Sequence, residues 1–387
     1  MKTIAIGAAG LGRAFSLMAP TFAGDTRVRL VAAADPRAEA RRRFEADFGG
    51  RTYATVEELC ADAELEAVYV ATPHQRHAEH TLLAAEAGKH ALVEKPMALS
   101  LEECAAMNAA ARAHGVHLVV GHSHGFDAPV ALARKLIEGG AYGPLRMITA
   151  VNFTDFLYRP RRPEELDTAR GGGAVFNQAA HHVDVARVLG GSRVRTVRAQ
   201  TGAWDPARPT EGAYSALLTF DHGAYASLIY SGYAHFDSDE LCDWIGEGGQ
   251  RKDPNAYGAA RRTLSGDEMA LKNARNYGGP LFATAEGTLL HPHFGLLIAS
   301  CERADLRPMP HGVMIYADAE RRLEPLGAPK VQRAEVIDEL YAAVVEGRPP
   351  RHDGDWGAAT LEVCLAMLRS SGEAREIALQ SQTGLRT

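Results

Sequence analysis

The chain has 387 residues, of which 46% are hydrophobic and 23% are charged, and its net charge at pH 7 is −6. This length suggests two domains, and the composition excludes disordered and fibrous proteins. The negative charge argues against nucleic acid as a partner, and no apolar run is long enough to span a membrane. The five cysteines are scattered without a C-x-x-C pair, and the N-terminus lacks a signal-peptide pattern, which indicates reduced thiols in a cytoplasmic protein.

The first predicted element is a strand over residues 3–8, which runs through a glycine turn into an apolar helix. The turn consists of Gly10, Leu11 and Gly12. Glycines between a strand and a helix let the backbone approach a pyrophosphate, which then binds the N–H groups of the helix N-terminus. The position three residues after Gly12, where a third glycine is usual, holds Phe15. The turn alone is therefore a weak indication of a dinucleotide site.

The second strand, over residues 29–34, ends at Asp35. In a dinucleotide-binding fold a carboxylate at this position accepts the adenosine ribose hydroxyls. Asp35 would repel a 2′-phosphate, which predicts NAD rather than NADP as the cofactor. Arg37 weakens this prediction because it could turn towards such a phosphate. Asp35 could also serve as the N-cap of a helix over residues 37–48, and the two roles are compatible.

The next segments continue to alternate between helix and strand. They are a helix from Val56 to Ala61, a strand from Ala67 to Ala71, a helix from His77 to Ala87, a strand from Ala91 to Val93, a helix from Leu101 to His114 and a strand from Val116 to Gly121. This alternation predicts a doubly wound parallel sheet, as in an NAD-binding Rossmann domain, over residues 1–122. The carboxyl ends of its strands should line one edge: Gly10, Asp35, Thr72, Lys95 and His122.

Glu94, Lys95 and Pro96 directly follow a buried strand, which Pro96 ends because it has no N–H group to donate. A charged pair at the end of a buried strand is costly unless it is solvated, paired or used. Taken alone, Lys95 could be a strand-end lysine that faces water. Because open parallel sheets bind ligands beyond the carboxyl ends of their strands, we interpret Lys95 as a functional residue.

The rest of the chain, residues 123–387, is predicted to form an α+β domain with a large, mostly antiparallel open sheet, since its strands alternate as if one face were wet. Residues 232–280 are polar and weakly patterned, which is typical of a functional or mobile loop. The predicted strands are Met147 to Phe153, Val194 to Thr201, Ala213 to Phe220, Tyr225 to Tyr230, Leu289 to Cys301 and Val313 to Tyr316, and the helices are Pro129 to Glu138, Ala174 to Leu189, Val331 to Val345 and Trp356 to Ser370.

A second group of candidate residues follows the glycines 171–173. Asn177 and His181 are four residues apart on the helix that starts there and should share one face. His181 alone could be an ordinary core histidine, but the triple glycine and Lys95 favour a functional role. Three histidine groups have metal-ligand chemistry but neither cysteine partners nor H-E-x-x-H spacing, so we expect no metal. These groups are His122/His124, His291/His293 and His74/His77/His80.

Four arginines precede the triple glycine: Arg159, Arg161, Arg162 and Arg170. They could form a solvated loop. The loop leads directly into the glycine turn, however, and the guanidinium fork suits carboxylates. We therefore expect at least one of them to bind a substrate carboxylate.

Several motifs together resemble the Gfo/Idh/MocA oxidoreductase family: Ala71-Thr72-Pro73 with His77, Ala87-Gly88-Lys89-His90 and Glu94-Lys95-Pro96. The resemblance implies a Rossmann domain, a C-terminal α/β domain with a large open sheet, and NAD(P) as cofactor. It implies that Lys95 is a catalytic acid or base and that Thr72, Pro73, His77 and Glu94 belong to the cofactor site. His181 matches a histidine placed against the substrate hydroxyl, and Asp184 matches an aspartate that we regard as structural. Asn177 replaces an aspartate, which puts the proton route of sugar-oxidising relatives in doubt.

Within the family, three stretches resemble the phthalate 4,5-cis-dihydrodiol dehydrogenase group: residues 154–163, 173–178 and 291–295. The resemblance implies oxidation of a carboxylated cyclic cis-diol to a catechol, with the substrate near Asn177, His182 and the arginines and with a homodimer or homotetramer formed through the C-terminal sheet. Two alternatives remain open. One is a sugar or inositol dehydrogenase of the same family, and the other is an NAD-binding regulator without turnover.

Overall fold

The computed structural model describes residues 2–121, 123–256, 258–264, 266–282 and 289–386, and these fall into two compact units. The first unit comprises Met1–His122 together with Met269–Ala285 and Val331–Leu361. The second comprises Ser123–Glu268, Glu286–Lys330 and Glu362–Thr387. The sequence predicted one boundary after residue 122. Two later segments nevertheless pack with the first unit. Such long-range contacts depend on the tertiary structure, and the local sequence pattern does not reveal them.

The first unit contains a parallel sheet of six strands among the described residues. In chain order the strands are β1 Ile4–Ala9, β2 Val28–Ala34, β3 Arg51–Tyr53, β4 Ala67–Val70, β5 His90–Val93 and β6 Leu118–Val120. Their order in the sheet is β3-β2-β1-β4-β5-β6. The chain thus moves outward from β1 in one direction and then from β4 in the other. In such sheets the ligand crevice lies beyond the carboxyl ends of the strands at this switch point, where Gly10 and Thr72 follow β1 and β4.

Five helices connect these strands: α1 Arg13–Gly24, α2 Ala38–Phe48, α3 Val56–Cys60, α4 His77–Glu86 and α5 Leu101–Ala113. Local chemistry sets their ends. Thr55 and Ser100 begin α3 and α5 with complete capping boxes. In each box the hydroxyl accepts the backbone N–H of a glutamate three residues later, and the carboxylate of that glutamate accepts the backbone N–H of the capping residue. Gly49 ends α2 in the left-handed conformation that glycine adopts without steric cost. The predicted doubly wound fold is confirmed.

The second unit contains a nine-stranded sheet within the described part of the chain. Its strands are β7 Leu145–Phe153, β8 Val194–Gly202, β9 Ala213–Phe220, β10 Tyr225–Ser231, β11 Leu296–Cys301, β12 Ala304–Met309, β13 Gly312–Ala317, β14 Arg321–Pro325 and β15 Ile377–Ala378. The order is β14-β13-β12-β11-β7-β10-β9-β8-β15, and all neighbours are antiparallel except β7 and β10. The predicted large, mostly antiparallel sheet is therefore confirmed. The strand predicted from Leu289 starts only at Leu296, after Pro292 and the left-handed Gly295.

Helices α6 Ala128–Glu138 and α7 Ala180–Gly190 pack on one face of this sheet. A π-helical turn, Val175–Ala179, precedes α7, so the helix predicted from Ala174 changes its winding midway. On the other face of the sheet, Leu217 and Tyr225 are each 43% exposed. The alternation of buried and exposed residues along β9 and β10 accounts for both faces.

The region expected to be a long loop contains the short helices α8 Ala259–Thr263 and α9 Glu268–Arg275. Near the C-terminus lie α10 Ala334–Glu346 and α11 Gly354–Glu373. None of the helices in the described ranges is both long and apolar enough to cross a membrane.

Candidate active site

The glycine turn after β1 is fixed by its neighbours. Gly10 has a φ of +92°, and a Cβ atom there would lie 2.8 Å from the carbonyl oxygen of Ala71, so the turn requires glycine. The Gly10 N–H donates to the Ala34 carbonyl over 2.8 Å. A Cβ on Gly12 would meet none of the described atoms within 4 Å. The backbone at Gly12 is thus open to an approaching pyrophosphate, and the turn fits a dinucleotide cofactor.

Phe15, which stands where a third glycine is usual, is completely buried. Its ring centroid lies 6.2 Å from that of Phe44 and 4.9 Å from that of Tyr277. Tyr277 belongs to the later segment of the first unit, and its hydroxyl donates to Asp47 over 2.8 Å. An aromatic cluster therefore replaces the close helix packing that a third glycine would allow.

Asp35 is 5% exposed and lies between the glycine turn and Arg37. Its Oδ2 accepts the Leu11 N–H over 2.8 Å, which ties the end of β2 to the turn after β1. Its Oδ1 accepts the N–H of Arg37 over 2.9 Å and the Arg37 Nε–H over 3.0 Å. The predicted carboxylate is therefore present at the cofactor edge and is paired with a guanidinium.

His77 connects the ends of β4 and β5 from a fully buried position. Its Nδ1 lies 2.8 Å from the Pro96 carbonyl and its Nε2 lies 2.9 Å from the Thr72 carbonyl. Burial lowers the pKa of His77, although both carbonyls oppose the shift. A neutral imidazole carries one N–H and can donate to only one of these oxygens at a time. His77 thus braces the two loops that carry Thr72-Pro73 and Lys95.

Glu94 is 8% exposed, and its Oε1 accepts the hydroxyl proton of Tyr69 over 2.7 Å. Burial raises the pKa of Tyr69 well above its usual range, with a further contribution from Glu94. The sequence does not predict this contact of Tyr69, since an aromatic residue in a strand normally indicates only core packing. Lys95 is half-buried. His122, expected at the same edge, lies outside the described residues.

In the second unit, the triple glycine is folded around the carboxylate of Glu211. Gly171 and Gly173 are left-handed, and a Cβ on Gly173 would clash with Glu211 Oε1. The same oxygen accepts the Val175 N–H over 3.0 Å. Burial raises the pKa of Glu211, which its hydrogen-bond donors oppose. The sequence offered no signal for Glu211, because an isolated glutamate between strands resembles any surface residue.

Asn177 lies in the π-helical turn and is 7% exposed. Its Nδ2 donates to the Gly173 carbonyl over 2.8 Å. An ionised aspartate, the residue expected here from the family resemblance, has no proton to donate to this carbonyl. The amide therefore suits the local turn.

His181 is 8% exposed and faces two other rings. Its centroid is 4.8 Å from that of His124 and 4.9 Å from that of Phe294, edge-on to the first and tilted to the second. His124 Nδ1 lies 2.6 Å from Asp127 Oδ2. Asp184, regarded as structural, accepts the Ser123 hydroxyl over 2.6 Å. His181 therefore lies in an aromatic pocket supported by buried polar pairs.

The side chain of His182 is buried in the core of the second unit. Its Nδ1 lies 2.9 Å from the Tyr214 hydroxyl, and its ring is 4.7 Å from that of Phe294. Burial lowers the pKa of His182 to about 3, and His124 contributes to the shift. His182 is consequently neutral at ordinary pH, and its role in substrate binding stays a prediction.

The four arginines of the predicted loop differ in how far their charges are compensated. Arg159 Nε bonds Asp155 Oδ1 over 2.7 Å, and Arg162 Nε lies 3.1 Å from Glu164. Arg170 is exposed. Arg161, with 9% of its side chain exposed, reaches Glu165 only at 3.8 Å. Burial lowers the pKa of Arg161 to about 10, although Glu165 opposes the shift.

The histidine groups that were weighed as metal ligands have other contacts. His293 Nε2 lies 2.7 Å from the Ile245 carbonyl, and His291 Nε2 lies 2.8 Å from the Gly327 carbonyl. Within the described part of the chain, no three histidine, cysteine or acidic side chains come close enough to hold a metal ion.

A parallel sheet with a glycine turn after its first strand and an acidic residue, Asp35, after its second is typical of a domain that binds a dinucleotide cofactor. Residues 4–122 match the oxidoreductase family with an NAD-binding Rossmann fold, and residues 130–251 match the GFO/IDH/MocA C-terminal domain. The 1-carboxy-3-chloro-3,4-dihydroxycyclohexa-1,5-diene dehydrogenase of Comamonas testosteroni is 48% identical over 371 residues, 94% of each chain. The chain belongs to the Gfo/Idh/MocA oxidoreductase family, and its cofactor is NAD.

Solved structures agree with this assignment. The crystal structure of a presumed dehydrogenase from Bordetella bronchiseptica RB50 is 44% identical, with a TM-score of 0.93 over 98% of this chain and 100% of that one. The WlbA dehydrogenase of Bordetella pertussis, solved with NADH and UDP-GlcNAcA, is 24% identical, with a TM-score of 0.68 over 98% of this chain and 99% of that one. At that identity the second comparison shows the fold alone.

Proposed function

We propose that the protein oxidises a cyclic cis-diol bearing a carboxylate to the corresponding catechol, with NAD as the hydride acceptor. The name of the Comamonas testosteroni relative describes a carboxylated dihydroxycyclohexadiene, and that relative matches nearly the full length of the chain. The structural observation that carries the proposal is the buried and weakly paired guanidinium of Arg161.

Among the residues that the structure describes, the hydrogen bonds of the Arg161 guanidinium lie on one edge, formed by Nε and Nη2. Its Nε donates to the Phe156 carbonyl over 3.1 Å, and its Cζ lies 3.7 Å from the centre of the Phe156 ring. Its Nη1 reaches Glu165 Oε1 at 3.8 Å, beyond hydrogen-bond distance. Glu165 already accepts the Arg162 N–H through its other oxygen over 2.7 Å. A buried cation without a close counter-ion is costly, and a substrate carboxylate would compensate it.

A series of aromatic rings runs between Arg161 and His181 within the second unit. Phe294, which contacts His181, stacks parallel to Tyr230 at 6.2 Å. Tyr230 lies 6.5 Å from Phe156, whose ring carries the guanidinium of Arg161. These three rings are buried, so they form a rigid support that links Arg161 to His181. We propose that the substrate binds with its carboxylate at Arg161 and its diol towards His181.

The chemistry requires one proton acceptor. One hydroxyl of the diol gives its proton to Lys95 or His181. A hydride leaves the carbon that bears this hydroxyl, and that carbon becomes the carbonyl carbon of a ketone. The ketone then enolises to the catechol, and the substrate has lost two hydrogens in total. Lys95 must be neutral to accept the proton, and a general base of this kind contributes about 10²–10⁴-fold to the rate. Bound NAD supplies the electrophilic carbon that takes the hydride.

The test compares a carboxylated cis-dihydrodiol with its uncharged analogue. Arg161→Ala should raise KM for the carboxylated substrate by about ten- to a hundredfold, since a charge-assisted hydrogen bond is lost, and should hardly change KM for the neutral diol. Arg161→Lys should rescue only partly because it lacks the fork. Arg162→Ala is the matched control, since that guanidinium already pairs with Glu164. If Arg161→Ala leaves the preference between the two substrates unchanged, the carboxylate binds elsewhere.

We further propose that the protein is a cytoplasmic homo-oligomer that associates through the uncovered face of the nine-stranded sheet. Leu217 and Tyr225 expose apolar surface there, and exposed apolar patches favour association. The five cysteines are free thiols, as a reducing compartment would keep them. Light scattering should give a dimer or tetramer for the natural chain and a smaller species for a Leu217→Lys, Tyr225→Lys double variant. An unchanged mass would rule out this face as the interface.

A further inference from the structure

The carboxylate of Asp35 is saturated by donors from the protein itself. An ionised carboxylate offers about four acceptor positions. Oδ1 accepts the Arg37 backbone N–H over 2.9 Å and the Arg37 Nε–H over 3.0 Å. Oδ2 accepts the Leu11 N–H over 2.8 Å and the Arg37 Nη2–H over 3.2 Å. Two of these four bonds come from the Arg37 side chain.

The Arg37 side chain also covers Asp35. Only 6% of the Asp35 side chain is exposed, compared with 21% of that of Arg37. The Arg37 Nη2 donates to the Leu11 carbonyl over 2.8 Å, so the guanidinium is bonded to both the turn after β1 and the end of β2. A ribose hydroxyl can bond to Asp35 only where a donor has left.

A second contact holds Arg37 from the opposite side. Its Nη1 lies 3.5 Å from the Tyr277 carbonyl. Tyr277 is itself fixed, because its ring packs on Phe15 and its hydroxyl donates to Asp47. A Cβ on the next residue, Gly278, would lie 2.9 Å from the Ala40 Cα, so this backbone rests directly on α2.

We propose that the Arg37 side chain acts as a latch, that is, it covers the Asp35 carboxylate that would otherwise bind the ribose. The cofactor must displace this side chain before its adenosine ribose reaches Asp35. The side chain competes with the ribose hydroxyls for the two acceptor positions that it fills. Once displaced, its guanidinium remains at the N-terminal end of α2, where the 2′-phosphate of NADP would lie. Arg37 therefore weakens NAD binding and strengthens NADP binding. It reduces the preference for NAD over NADP that the Asp35 carboxylate creates. This inference concerns the cofactor site and holds for any substrate.

The sign of the effect distinguishes a latch from a ribose ligand. Arg37→Met keeps the apolar stem and the backbone N–H but frees two acceptor positions on Asp35. Fluorescence titration of the full chain should show NADH binding about three- to tenfold tighter and NADPH binding about tenfold weaker than in the natural protein. Arg37→Lys, which keeps the charge but loses the fork, should also bind NADH more tightly while retaining most of its NADPH affinity.

The matched control is Arg42→Met, which removes one exposed positive charge from the same helix, α2. It should change both dissociation constants by less than about twofold, because exposed charges are screened by salt. Thermal unfolding of each variant would report whether the unit still folds. NADH binding that is unchanged or weaker in Arg37→Met would overturn the latch, and unchanged NADPH binding would overturn the role in NADP recognition.

Discussion

The Asn177 amide donates to the carbonyl oxygen of Gly173 across 2.8 Å, inside the turn that starts the helix carrying His181. Family resemblance leads one to expect an aspartate at this position. Here the amide is bonded within the turn, so its polar side chain fixes the glycine backbone. Asn177 thus connects the triple glycine to the placement of His181.

The first prediction concerns this bond. Asn177→Asp should lower the free energy of unfolding by about 1–3 kcal/mol at neutral pH, because a carboxylate would face the Gly173 carbonyl without a proton to donate. The loss should shrink at acidic pH, where a protonated carboxyl can donate again. Urea unfolding at pH 7 and pH 4.5, with Asn177→Ala as the control, would measure it. Equal stability of Asn177→Asp and the natural chain at pH 7 would contradict this account of the turn.

The second prediction concerns His182, whose pKa is lowered to about 3 by burial. Its unfolded pKa is about 6.5, so between these two values the unfolded chain binds a proton that the folded chain does not. Stability should therefore fall as the pH is lowered from about 6.5, with a slope of about one proton, or 1.4 kcal/mol per pH unit. The side chain in His182→Gln can still accept a hydrogen bond from the Tyr214 hydroxyl but does not titrate. In this variant the dependence of the unfolding free energy on pH should be smaller by the contribution of one proton, about 1.4 kcal/mol per pH unit. An identical slope in the variant would show that His182 is not the group that titrates.

The third prediction separates catalysis from binding. Lys95→Ala and His181→Ala should each reduce kcat by at least about a hundredfold, because proton transfer is lost, while the dissociation constant for NADH changes little. Steady-state kinetics and NADH titration on the same preparations would show this. A variant that keeps near-native kcat with an authentic substrate would assign that residue a purely structural role.

The fourth prediction concerns cofactor choice. The ratio of kcat/KM for NAD to that for NADP should exceed one, because the Asp35 carboxylate repels a 2′-phosphate, and Asp35→Ser should bring the ratio closer to one. The Asp35→Ser variant also loses the bond from Leu11, so its thermal stability should be recorded beside the kinetics. Equal or better use of NADP by the natural chain would mean that Arg37 outweighs Asp35.

Much of the first unit could be predicted from sequence because its signals are local. A glycine, an acidic residue or a proline follows within three residues of each buried strand, and the rule for parallel sheets then places Gly10, Asp35, Thr72 and Lys95 at one edge. The aromatic cluster could not be predicted in this way. Phe15 contacts Tyr277, which lies far along the chain in a polar region, and no periodic pattern connects them.

The second unit was predicted less completely. The edge strand β14 carries exposed charged residues, so its alternation is weak, and β15 has only two residues. The region after residue 232 lacks an apolar pattern, and it contains ion pairs between residues that are distant in the sequence. Lys252, for example, bonds Asp239 over 2.9 Å. Pairings of this kind depend on where the backbone brings two charges together, which a single sequence does not reveal.

The packing of Tyr277 on Phe15 has a consequence for synthesis of the protein. During translation the N-terminal strands and helices emerge long before residue 277, so the apolar surface around Phe15 stays uncovered while more than half of the chain is made. The nascent Rossmann sheet can form early, yet its aromatic cluster closes only after the later segment has left the ribosome. Chaperones that hold exposed apolar surface would have their main opportunity in that interval.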